Sequence, residues 1–143
     1  MSTTPFWRQN IVPIAVGLGN VFLIGAGMGV PVFAVLYGLP VGWWLGTRLA
    51  TGPDVRAALR SLVLSGAGLA GASLLVLTFV WGPHVHLAFD PQVDAVAFGI
   101  PLILYGSQAS MAAWFVLMLV IAPLGQFALV VTAGVLAMLR RTD

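Results

Sequence analysis

Residues 11–47 read IVPIAVGLGNVFLIGAGMGVPVFAVLYGLPVGWWLGT, without a single charged side chain. How this stretch divides decides the fold. A helix crosses the hydrocarbon of a bilayer in roughly 17–25 residues, so the stretch is about twice as long as one crossing requires. Its middle holds Gly25, Ala26, Gly27, Met28, Gly29, Val30 and Pro31. Glycine accepts positive φ, and proline disfavours helix in the residue before it, so this cluster can turn the chain. The stretch therefore reads as two short spans, residues 11–26 and 30–47, paired as a helical hairpin. Thr4 before Pro5 offers an N-cap followed by proline at the first helical position, which lets the first helix begin earlier. A cleaved signal peptide is the rival reading of the first span, because Gly25, Ala26 and Gly27 supply small residues after an apolar run. A single preceding arginine, with Pro13, Gly17, Gly19 and Asn20 inside the run, fits that rival poorly.

Working outward, residues 48–60 are polar, and Thr51, Gly52, Pro53 and Asp54 carry helix-start chemistry, with proline early and an acid in the first turn. A third span follows at residues 61–81. Residues 82–110 form the longest irregular segment, an external loop with His84, His86, Asp90 and Asp94. Its apolar piece, residues 95–105, is too short to cross and is interrupted by Pro101; such pieces lie at an interface or pack internally. The last span, residues 111–139, has Pro123 in its middle, which predicts a break in the hydrogen-bond ladder near Leu119. The fold expected is all-α and integral to a membrane: a single domain over residues 1–143, a bundle of four transmembrane helices.

Composition agrees. Of 143 residues 60% are hydrophobic and 7% charged, too few charges to cover a water-facing surface. The 17 glycines and 9 prolines suit membrane helices, where both residues are commoner than in soluble ones. Arginine placement orients the chain. Arg8 lies at the amino end, Arg48, Arg56 and Arg60 in the second connection, and Arg140 and Arg141 at the carboxyl end, while residues 82–110 hold two aspartates and no arginine. The positive-inside rule puts residues 48–60 and both termini in the cytoplasm, with the protein multi-pass in the cell (plasma) membrane. Trp7, Trp43 and Trp44 then fall at the inner boundary, Trp81 and Trp114 at the outer one. The net charge of +2 reflects membrane orientation, not a nucleic-acid partner. A glycine-rich chain without lysine is also what a GC-rich bacterial genome tends to encode.

The chemistry open to the chain is narrow. With no Cys, Glu or Lys, it has no thiolate metal site, disulfide or cysteine nucleophile. No ionisable residue lies inside a proposed span, whereas proton-coupled transport generally needs one there. Ser65-Gly66 follows Val63-Leu64 and lacks the nucleophile elbow of serine hydrolases. Asn20 and Gln126 are the amides within the spans; at such depth they bond another helix or line a polar path, and the carbonyl freed by Pro123 at Leu119 is a further partner for Gln126. Thr78 and Thr132 could join them in a lining.

Small residues form stripes: Gly38, Gly42 and Gly46 on the second span, and Ser65, Gly68 and Ala72, continuing Ser61, on the third. Packing drives helix association in lipid, so the first stripe is expected to make a groove for the third span, or else a self-association face. There a leucine would overpack, and alanine, adding one methyl, would be milder. Met111 and Met118 read as packing filler. His84 and His86, two apart, with Asp90 beyond, could approach one metal ion if the segment were extended; the plainer reading is two polar aromatics in an external loop.

The function these features indicate is a non-enzymatic scaffold or subunit of a membrane assembly, without cofactor, whose partners are the lipid bilayer and other membrane subunits or further copies of itself. The alternatives are an oligomeric pore or facilitator for a small solute, and an outward-facing protein binding metal or haem.

Overall fold

The structure, a computed structural model, describes residues 6–26, 31–52, 54–102 and 104–140, with the backbone alone for residues 6–10. Thr4, Pro5, Pro53, Arg141 and the proposed turn at residues 27–30 lie outside the described residues, as do the side chains of Trp7 and Arg8. The described residues form helices α1 (Phe6–Ala26), α2 (Val32–Leu49), α3 (Val55–Trp81), α4 (Ser107–Val116) and α5 (Ala122–Leu139). A 3-10 helix, Gly82–Phe89, follows α3, and a π-helical turn, Leu117–Ile121, joins α4 to α5. No strand occurs among the described residues. Two stretches, Val55–Phe89 and Ser107–Leu139, are long and apolar enough to cross a membrane, and Ile11–Ala26 is a shorter apolar helix.

Local chemistry sets the boundaries. Asp54 is extended, and its Oδ1 accepts from the backbone N–H groups of Arg56 at 2.9 Å and Ala57 at 3.3 Å. It is therefore the N-cap of α3, not a first-turn acid, and the helix begins at Val55, at the helix-start residues and six residues before the proposed span, since a side-chain acceptor satisfies two of the free N–H groups there. Pro123 has no N–H to offer the carbonyl of Leu119, and the ladder loosens into the π turn immediately before it. The break expected near Leu119 is there.

Residues 82–102 and 104–106, expected to be irregular, form a cap over one end of the bundle. Asp90 Oδ1 accepts from Gln92 N–H at 2.9 Å and Asp94 Oδ1 from Val96 N–H at 3.0 Å, two short side-chain turns that fold the segment back. Gly99 sits at φ 72°, where a side chain would be strained, and Ile100 N–H reaches the Ala95 carbonyl at 3.0 Å. The fold-back buries Val93, Ala95 and Ile100 against Met111, Trp114, Phe115 and Met118. Ser110 Oγ donates to the Leu104 carbonyl at 2.8 Å and accepts its N–H at 3.0 Å, pinning the cap to α4.

Packing gives each helix its direction. Gly38 of α2 faces Gln126, Leu129 and Val130 of α5, Gly42 faces Val130, and Gly46 faces Gly134, so the two helices run parallel. On α3, Leu62 meets Gly134 and Gly66 meets Phe127 and Val130, so α3 runs the opposite way. The glycine stripe of α2 was expected to seat α3; it seats α5. The reason is the facing surface. Along its buried side α3 presents Leu62, Leu69 and Leu77, which hold a neighbour at side-chain distance, whereas α5 brings Gly134 and its own backbone. A Cβ on Gly42 would run into the Val130 carbonyl, and one on Gly46 into that of Gly134. Even alanine meets backbone there, so a single methyl is already expected to push the two helices apart.

At the end opposite the cap, the Arg48 guanidinium stacks over Trp44 at 4.3 Å, and Arg140 lies 5.9 Å from the Trp43 ring. Helix α1 packs on α2 and α3 less extensively than α2 packs on α5.

Candidate functional site

Polar chemistry concentrates in one place inside the bundle. Asn20 of α1, Ser73 of α3 and Gln126 of α5 are each 2% exposed or less. Asn20 Nδ2 donates to Ser73 Oγ at 2.7 Å, Ser73 Oγ donates to Gln126 Oε1 at 2.5 Å, and Gln126 Nε2 donates to Asn20 Oδ1 at 2.7 Å. The three side chains thus close a ring. The second N–H of Gln126 reaches the Ala34 carbonyl of α2 at 2.8 Å, so four helices share one hydrogen-bond network.

Each member is placed by its helix. Asn20 is followed four residues on by buried Ile24, one turn along the inner face of α1. Ser73 stands between Leu69 and Leu77 in the buried stripe of α3. Gln126 lies one turn past Pro123 and one turn before Val130. Its partner is Ala34 and not the Leu119 carbonyl, because the π turn has already rearranged the ladder at Leu119, and Ala34, with a single methyl, leaves its carbonyl accessible.

The ring spends both N–H groups of Gln126, the Ser73 hydroxyl and one Asn20 N–H on partners within it or on Ala34. Neither an amide nor a hydroxyl ionises near neutral pH, so the ring has no group to hold or release a proton. It can tie helices together and fix their rotation. Losing one partner would strand the others at about 1–3 kcal/mol for a buried polar group.

The other candidate residues do not join it. Thr78 and Thr132 are exposed on the outer faces of α3 and α5. Gly38, Gly42 and Gly46 are buried against α5. Ser65, Gly68 and Ala72 line a cleft of about 450 Å³ between α3, α2 and α1 instead of seating a helix. His84 and His86 lie on the 3-10 helix, not on an extended segment, so the alternation that would aim both at one ion is absent. The His86 Nδ1 atom is 2.9 Å from the Pro83 carbonyl, His84 stands edge-on to Trp81 at 6.4 Å, and Asp90 Oδ1 holds a turn. Among the described residues no three potential metal ligands come together.

Ser73 is the member that sequence reasoning missed. Its signal was present: residues 62, 66, 69, 73 and 77 recur at helical spacing, with the serine inside a leucine stripe. The chain matches no protein-family model, and no curated protein or solved structure is significantly similar to it.

Proposed function

We propose that this chain is a multi-pass membrane protein of four crossing helices, α1, α2, α3 and the joined α4–α5 unit, serving as a non-catalytic scaffold or subunit of a membrane assembly. Both termini and residues 48–60 lie in the cytoplasm and the cap lies outside. The observation that carries the reading is the closed ring. Polar side chains within the bundle are spent on one another and on a helix carbonyl, which supports a structural role over a solute path. Lengths support the crossings. At ~1.5 Å per residue the apolar part of α1, Ile11–Ala26, rises about 24 Å and α2 about 27 Å, each a few ångströms under the ~30 Å of hydrocarbon, and α3 and the α4–α5 unit exceed it. The sides follow from the arginines: Arg48, Arg56, Arg60 and Arg140 belong to connections or helix ends away from the cap, and the cap has none.

Two measurements test this. Single cysteines at positions 56 and 90, introduced into a chain with none, are probed in intact cells with an impermeant thiol reagent. Position 90 is expected to label and position 56 to stay protected; the reverse pattern overturns the orientation. Purified protein in liposomes is expected to pass small polar solutes no faster than empty liposomes do, and flux above that background would move the assignment to a pore.

A further inference from the structure

We propose that the cleft between α1, α2 and α3 binds one anionic phospholipid of the cytoplasmic leaflet, with its acyl chain in the cleft and its phosphate on Arg48. This rests on the four-crossing reading above, which sets Arg48 at the inner water boundary. The cleft is open along one side and has a volume of about 450 Å³, within the roughly 300–1,000 Å³ that pockets for one small ligand occupy. Pro13, Gly17, Val41, Leu69 and Ala72 give it an apolar wall suited to a hydrocarbon chain.

Its chemistry changes at one end. Val41, Trp44 and Leu45 of the wall are followed at helical spacing by Arg48 on the same face of α2. The guanidinium stacks on Trp44, a wall residue, which holds the charge at the mouth; a guanidinium stacked by its face presents its N–H groups at the edge, the geometry that binds a phosphate. Among the described residues Arg48 meets no carboxylate. Asp54, the acid of the adjoining connection, has Oδ1 committed to the N-terminus of α3 and shares a surface pocket with Arg56 and Arg60. An arginine with no carboxylate partner among the described residues, at the mouth of an apolar cleft, complements an acyl chain ending in an anion. Ser65 supplies the intermediate polarity. Its hydroxyl lines the cleft about 7.5 Å deeper along α3 than Arg60, at ~1.5 Å per residue, where a glycerol ester would accept its proton.

The test uses the full chain in mild detergent. Native mass spectrometry reads retention of phosphatidylglycerol and phosphatidylcholine with identical acyl chains, with inorganic phosphate as competitor. One phosphatidylglycerol per chain is expected, retained at least ten-fold better than phosphatidylcholine and not displaced by phosphate. Arg48→Gln should remove that preference. Gly68→Leu points a side chain into open space, so it should fill the cleft and cut retention at least ten-fold with the melting temperature unchanged. Equal retention of the two lipids, a preference that survives Arg48→Gln, displacement by phosphate, or retention unaffected by Gly68→Leu would each overturn the proposal. Conversion of a dimer to monomer by Gly68→Leu would assign the cleft to a second copy instead. Alkaline carbonate washing of membranes separates the two layers of inference. A chain that washes off sinks the membrane reading and this proposal with it, whereas a chain that stays but does not discriminate between lipids sinks this proposal alone.

Discussion

The small residues of α2 and those of α3 have similar spacing and end in opposite surroundings. Gly38, Gly42 and Gly46 lie against the backbone of α5, with no room for a methyl group at any of them and the least at the latter two. Gly68 has nothing within 4 Å of where its Cβ would stand, and with Ser65 and Ala72 it lines an open cleft. A stripe of small residues states only that a neighbour can come close. Whether one does depends on the opposing helix: α5 brings Gly134 and the Val130 backbone against the stripe of α2.

The contrast breaks most visibly at Gly42. Gly42→Ala places a methyl on the Val130 carbonyl, and both partners there are backbone, so the helices must separate. We expect a loss of about 1–3 kcal/mol from overpacking, and more for Gly42→Leu, read as thermal or denaturant unfolding in detergent. An alanine variant as stable as the parent would mean that α2 and α5 are not in backbone contact.

The ring should give the second largest effect, because it holds the loosely packed α1 side to the tightly packed α5 side. Gln126→Leu strands the Asn20 carbonyl and the Ser73 hydroxyl and takes from the Ala34 carbonyl its second donor, and should cost about 1–3 kcal/mol. Combining it with Ser73→Ala and Asn20→Leu should recover part of that loss, since replacing every partner leaves no orphan. Three independent, additive losses would show that the ring is not one network.

Much of this was legible in the sequence. Charge spacing and apolar length marked the four long helical regions, and Pro123 marked the break in the last of them. Asn20 and Gln126 stood out because amides are rare within such runs. The partner of each stripe was not legible. On a helix whose outer face is also apolar, such as α3 with Leu64, Leu75 and Phe79 exposed, no polar side marks which stripe turns inward. The stripe at 61, 65, 68 and 72 and the one at 62, 66, 69, 73 and 77 differ by a single residue, and the second carries both the core and Ser73. The cap was hidden for another reason. Its turns rest on Asp90, Asp94 and Gly99, each of which reads alone as ordinary loop composition, and the apolar residues they bury are contiguous in space with Met111 and Trp114 but not in sequence.

The smallest effect belongs to Gly68→Ala, and it tests the comparison from the other side. Glycine within a helix costs roughly 0.5–1 kcal/mol relative to alanine, because the unfolded chain gives up more freedom. At Gly42 that gain is overwhelmed by collision with α5. At Gly68 nothing opposes it: the new methyl enters the cleft and meets no atom within 4 Å. The variant should therefore unfold at the parent's midpoint or slightly above it, by no more than about 1 kcal/mol. Stability measured in detergent with and without added phosphatidylglycerol makes the comparison sharper. A methyl narrows the cleft without filling it, so the stabilisation by added lipid should shrink but persist, by less than under Gly68→Leu. A destabilised Gly68→Ala would mean that a helix sits against this stripe after all. The two stripes would then be alike in occupation, and the distinction drawn between them would fail.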